Sequence, residues 1–261
     1  MRSGALDCHA DPTRADVRAG ALDCHADPQS ASASPAIAPS PEGAGAFFGR
    51  RRGKRLRATQ GELVESLLPS LRVDPDTIGR WHGPPSQDLW LEIGFGGGEH
   101  LATLARANPG IGFVGCEPFV NGVAKLVAVI DRERLANVRI WDDDATKLLP
   151  RLPEAAFGRV SILYPDPWPK RRHRKRRIVS DETLAMLGWV MRPGAELRFA
   201  TDVDDYAGWT LARILRSPDF RWAAERADDW RRPWADWPGT RYEAKARREG
   251  RAPSYLTFVR L

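Results

Sequence analysis

Apolar residues in this chain fall in short blocks whose period changes along the sequence. Compact apolar runs at 89-LWLEI-93, 111-IGFVGCE-117, 137-NVRIW-141, 160-VSILY-164 and 195-AELRFAT-201 predict strands. The segments between them predict helices over 99–107, 119–133, 145–150 and 178–190, with a further helix over 204–215. Upstream, 59-TQGELVESLLP-69 spaces its apolar residues as a helix does, with Thr59 as a candidate cap and Pro69 as the stop. A last strand is expected at 254-SYLTFVR-260. Strands alternating with helices at this spacing predict an α/β fold, a mostly parallel sheet covered on both faces.

The first 46 residues break the pattern. The segment 4-GALDCHADP-12 recurs letter for letter as 20-GALDCHADP-28, and the small residues and prolines of 29–46 cannot build a core. A disordered tail over 1–46 and a single domain over 47–261 follow as expectations. Cys8, His9, Cys24 and His25 are of metal-ligand type, but adjacent Cys-His is an awkward chelate with no apolar support, so no metal is expected. The 261 residues suffice for one full core. No apolar run approaches the roughly 20 residues of a membrane span, and no export segment is visible, so a cytoplasmic protein without membrane contact is expected.

Charge changes the picture more than composition does. The net charge of +6 is concentrated: 50-RRRGKRLR-57 holds six basic residues in eight positions, and Lys170 to Arg177 holds seven, the eighth being His173. Such placement predicts a polyanionic partner.

The turn 91-LEIGFGGGEH-100 joins a predicted strand to a predicted helix. Gly94, Gly96 and Gly98 let backbone approach a ligand closely, but the spacing E-x-G-x-G-x-G is not the dinucleotide fingerprint. Glu92 would repel a pyrophosphate yet can accept from an amino-acid ammonium. Glu117 ends the second strand, where a carboxylate can take ribose hydroxyls. In 142-DDD-144, Asp144 is the candidate for the adenine amino group and Asp143 its competitor. Three acids at three strand ends point to a ribose-bearing cofactor without phosphate, S-adenosyl-L-methionine. Asp166, boxed by Pro165 and Pro167 at the end of the fourth strand, lies where an acceptor would meet it.

With those residues in view, the chain from about Phe47 to Leu261 resembles the bacterial tRNA (guanine-N7-)-methyltransferase family. The resemblance rests on 91-LEIGFGGG-98, 115-GCE-117, 163-LYPDPWPKRRHRKRR-177, 201-TD-202 and 240-TRYE-243. It implies a Rossmann-like class I methyltransferase fold with a seven-stranded, mostly parallel sheet. It also implies cofactor binding by Glu92, Glu117, Asp144 and Asp166, with Asp166 catalytic, and substrate contacts by Lys170, Asp202, Thr240, Arg241, Tyr242 and Glu243. RNA contacts are implied for Arg172, His173, Arg174, Lys175, Arg176 and Arg177. The implied product is 7-methylguanosine in the tRNA variable loop, position 46, with no obligate protein partner. The chain departs from the commoner family pattern at Pro169, Arg241 and Tyr242.

Guanine N7 carries a free lone pair and no proton at neutral pH, so Asp166 is read as positioning and electrostatic rather than as a base. Blander roles stand beside the others: a helix cap for Asp202, a solvated ion pair for Glu243, packing for the tryptophans of 229-DWRRPWADW-237. The alternatives to tRNA N7 methylation are methylation of another RNA site and a catalytically silent RNA-binding protein of the same fold.

Overall fold

The computed structural model describes residues 48–78, 81 and 88–261. The tandem repeat and its Cys-His pairs lie outside the described residues.

The predicted alternation is present. After α1 (Ala58–Ser66) and α2 (Leu68–Leu71), the order is β1 (Asp88–Ile93), α3 (Glu99–Ala107), β2 (Ile111–Cys116), α4 (Val120–Glu133), β3 (Val138–Trp141), α5 (Ala145–Leu148) and β4 (Phe157–Leu163). Then follow α6 (Asp181–Val190), β5 (Met191–Thr201), α7 (Asp204–Ile214), β6 (Phe220–Trp222), α8 (Asp228–Arg231), α9 (Arg241–Arg248) and β7 (Ser254–Arg260). The sheet order is β3-β2-β1-β4-β5-β7-β6, with β7 antiparallel to both β5 and β6 and the other pairings parallel. This is the class I methyltransferase arrangement that the family resemblance implies.

Period two along the strands splits the core between the faces. On β2, Val114 and Cys116 join one apolar cluster with Leu148, Leu187, Phe199 and Tyr206, while Phe113 joins another with Leu101, Leu126 and Val127. On β1, Leu89, Leu91 and Ile93 belong to the first cluster and Trp90 packs on the second. Glu92 therefore shares the Trp90 face, toward α3.

Several boundaries differ from the sequence pattern. Thr59 caps nothing: α1 begins after Arg57 with no side-chain cap bond, and Pro69 sits in the first turn of α2, where a missing amide costs no helical bond. α6 starts at Asp181 rather than Ile178, because the Ser180 hydroxyl accepts from the Thr183 amide at 3.1 Å and fixes the cap there. β5 begins at Met191, and its register against β4 shifts between Phe157 and Arg159, which absorbs the exposed Pro193-Gly194 bulge. The seventh strand, β6, is a three-residue edge that no run of the sequence marks.

Candidate active site

Parallel strands point their carboxyl ends to one side, and the strand order reverses at β1, where β2 and β4 flank it. A cavity of about 730 Å³ opens there, lined by Ile93, Gly94, Gly96, Glu117, Asp144, Ile162, Tyr164, Asp166 and further residues. That volume is within the usual range for a small-molecule site.

The floor is the glycine turn. Gly94, Gly96 and Gly98 all have positive φ, at 77°, 58° and 77°. A Cβ on Gly94 would meet no protein atom within 4 Å, so its backbone faces open space. From below, Gly122 of α4 comes so close that a Cβ there would overlap the Gly96 carbonyl oxygen. Glu117 ties the two turns together, its Oε2 accepting from the Gly96 amide at 2.7 Å and its Oε1 from the Phe119 amide at 2.9 Å. Burial pushes its carboxyl above the ordinary range in spite of those two bonds.

The three strand-end acids do not share one situation. Glu117 and Asp144 are on the cavity wall. Asp144 also caps α5, its Oδ1 accepting from the Thr146 amide at 3.0 Å. Its competitor Asp143 faces outward to Arg51 at 2.6 Å and Lys147 at 2.8 Å. Burial raises the Asp143 carboxyl, but those cations and a backbone amide outweigh it and hold it at about 2. Glu92 is beneath the turn and outside the cavity lining, its Oε2 2.6 Å from His100 Nδ1 on α3. His100 in turn packs on Trp237, ring centroids 5.0 Å apart.

Beyond β4 the chain turns sharply through Tyr164-Pro-Asp-Pro-Trp168. Tyr164 and Trp168 both hold left-handed backbone conformations, φ 49° and 42°, which for bulky side chains cost of order 1–3 kcal/mol each. Between them Asp166 is exposed on the cavity wall, and among the described residues nothing forms a hydrogen bond or ion pair with its carboxylate. Tyr164 stacks on Tyr242 at 6.5 Å and 19°.

Residues 171–176 form a 3₁₀ turn that folds the basic run back on this corner. Lys170, Arg171, Arg172 and Lys175 are exposed; His173 meets Trp168 edge-on, and the Arg176 guanidinium lies 4.9 Å from Trp168 and 4.8 Å from Phe48. Arg174 pairs with Asp205 at 2.6 Å. Arg177 departs from the RNA-facing expectation: its side chain has no exposed surface and is bound to Asp205 and the Pro167 carbonyl.

The segment 240-TRYE-243 opens α9. Thr240 Oγ1 accepts from the Glu243 amide at 3.1 Å, a T-x-x-E capping pattern visible in the sequence and overlooked there. Glu243 is buried, not a solvated ion pair: it accepts from Tyr255 at 2.7 Å, from Arg247 at 2.9 Å and from Trp237. Arg241 and Tyr242 line the cavity, with Arg241 3.5 Å from Glu99. Asp202 does not cap α7; it accepts from Arg251 at 2.6 Å. Lys170, Asp202, Thr240 and Glu243 are outside the cavity lining, as are Gly98, Arg172, His173 and Arg174.

One wall escaped the sequence reading. The arm carrying Phe48, Gly49 and Arg50 borders the cavity, held by Arg51 to Asp143, by the Val120 amide on the Arg51 carbonyl at 2.9 Å, and by the Gly53 amide on Asn121 at 2.7 Å.

The fold and this corner define an S-adenosylmethionine-dependent methyltransferase of class I. The sequence profile described as "Putative methyltransferase" matches residues 86–255. A tRNA (guanine-N(7)-)-methyltransferase of Chelativorans sp. (strain BNC1) is 54% identical, covering 83% of this chain and 95% of its own; one from Agrobacterium fabrum is 52% identical, covering 82% and 95%. The chain belongs to the tRNA (guanine-N(7)-)-methyltransferase family. A solved 16S rRNA methyltransferase, KamB, shares the fold at a TM-score of 0.50 and 19% identity, over 70% of this chain and 92% of its own.

Proposed function

We propose that this protein methylates N7 of the guanosine at position 46 in the tRNA variable loop, with Asp166 as the residue that positions the base. The observation that carries the reading is the exposed Asp166 carboxylate, unpaired among the described residues, on the same cavity wall as Glu117 and Asp144, with the basic run starting four residues later.

The cavity's residues fit S-adenosylmethionine. Glu117 and Asp144 offer acceptors where ribose hydroxyls and an adenine amino group donate, and Ile93, Phe119, Pro150 and Ile162 supply apolar walls. Arg241 stands beside the glycine turn, where an amino-acid carboxylate would sit; Glu92 reaches an ammonium only through the turn above it. When bound, the cofactor supplies an electrophilic methyl group on a sulfonium, so N7 needs alignment rather than deprotonation. Asp166 holds the guanine edge, and its charge favours the cation that forms on the ring. Tyr164, Tyr242 and Trp168 give the base an aromatic slot that excludes water. Lys170, Arg172 and Lys175, with the exposed cations of the arm, hold phosphates and set register. Thr240 and Glu243 fix the start of α9, and so the slot's Tyr242. Activity resides in residues 47–261 and is cytoplasmic; no described helix is long and apolar enough to cross a membrane.

Methyl transfer from labelled S-adenosylmethionine to an unmodified tRNA transcript, beside the same transcript with adenosine at position 46, tests the assignment. Labelling of the first alone is expected; equal labelling of both would overturn the target site. In the same assay Asp166→Asn lowers kcat by about 100-fold or more with cofactor affinity changed by less than about fivefold. An unchanged kcat would remove Asp166 from the mechanism.

A further inference from the structure

We infer that Arg177, although it ends the basic run, is a positioning residue for Asp166 and not a contact for RNA. The inference rests on the reading of Asp166 given above.

The geometry is that of a brace. The Arg177 side chain is wholly buried, and its Nε donates at 2.8 Å to the carbonyl of Pro167, the residue that follows Asp166. Its Nη2 is bound to Asp205 Oδ2, and the guanidinium lies 4.6 Å from the Tyr206 ring and 5.0 Å from the Trp209 ring. A rigid planar fork with five donors holds a carbonyl and a carboxylate on separate nitrogens in fixed geometry, and the single nitrogen of Lys cannot reproduce that spread. Arg177 thus fastens the Pro-Asp-Pro turn to α7.

That turn needs fastening. Its two ends, Tyr164 and Trp168, sit in the left-handed region, and such conformations persist only where the surroundings hold them. Three residues of the run face inward to do so: His173 and Arg176 pack on Trp168, and Arg177 holds Pro167. Among the described residues Asp166 has no bonding partner, so its position is inherited from its neighbours. The run therefore has two sides, an outer one for phosphate and an inner one that presents the carboxylate.

The test separates kcat from tRNA affinity. In Arg177→Lys, kcat is expected to fall by about tenfold or more, while the tRNA KM and the slope of its salt dependence stay near wild type. Arg172→Ala is expected to do the reverse, raising the tRNA KM and lowering the slope by about one. A second variant, Asp205→Asn, is at a half-exposed position and keeps a side-chain oxygen that can still accept from Arg177, and a thermal melt checks that it stays folded. It loosens Arg177 and frees Arg174, so kcat is expected to fall severalfold with tRNA binding equal or tighter. An Arg177→Lys enzyme that loses tRNA affinity and salt slope at full kcat, or an Asp205→Asn enzyme that binds tRNA more tightly at full kcat, overturns the inference. Asp166→Asn is assayed in parallel. If it keeps its rate, the reading of Asp166 is at fault; if it is inactive while both brace variants turn over normally, only the brace falls.

Discussion

Gly122 is the residue on which the cofactor floor turns. It lies in α4, where glycine is a poor helix former, yet any side chain there would run into the Gly96 carbonyl. Backbone cannot step aside as a flexible side chain can, so Gly122→Ala should destabilise the fold by about 1–3 kcal/mol, as overpacking does. Its effect on S-adenosylmethionine binding should be larger still, because Gly96 and its bond to Glu117 move with the helix. Calorimetric titration and a thermal melt on the same sample would check both; unchanged affinity would mean the turn adapts. Residues of this kind explain what the sequence left hidden. The place of Glu117 and Asp144 on the cavity wall was legible because a strand's end locates its side chain. Glu92 was half legible: its place in the chain was right, but the alternation that sends Trp90 toward α3 sends Glu92 there too, to His100. Arg177 was not legible at all, since its partner Asp205 is 28 residues away and a run of cations does not say which one faces in.

At the scale of elements, the arm and α4 form one unit through Arg51, Gly53 and Asn121. Asp143 contributes to it in a way that pH can expose. Its carboxyl is held at about 2 in the folded protein, below its ordinary value, so the stabilisation is present above the unfolded pKa and is lost as pH falls through the folded one. The arm should therefore be held less firmly between about pH 4 and pH 2. Limited proteolysis near Arg55 should be faster in Asp143→Asn than in wild type at neutral pH, and the two should converge as pH approaches 2; persistence of the difference there would assign the anchoring to another contact. The arm's place on the cavity could not be seen in its sequence, because 50-RRRGKRLR-57 shows only charge, and besides the Arg51 side chain the docking uses the backbone of Arg51 and Gly53. The T-x-x-E box of α9 could have been seen, since Thr240 and Glu243 stand three residues apart at the head of a helix.

For the molecule as a whole, charge is the quantity that the sequence overstates. Arg174 and Arg177 are engaged with Asp205, Arg51 with Asp143 and Arg241 with Glu99, so the positive surface offered to RNA is smaller than the run lengths suggest. Exposed Arg50, Arg52 and Arg55 remain available on the arm. Replacing these three by Gln should lower the slope of log affinity against log salt by up to about 2–3, at roughly 0.7–0.9 per phosphate contact. Filter binding of tRNA over a salt series would measure it; an unchanged slope would put the RNA on the far side of the cavity.

The place of β7 in the sheet has a consequence for how the protein is made. Every strand from β1 to β6 leaves the ribosome before β7 does, yet β7 is the one that fills the gap between β5 and β6. Until it arrives, β5 presents an open edge of apolar residues, a template for pairing with another nascent chain. The hazard of aggregation is thus concentrated in the interval after β5 has emerged and before β7 pairs with it.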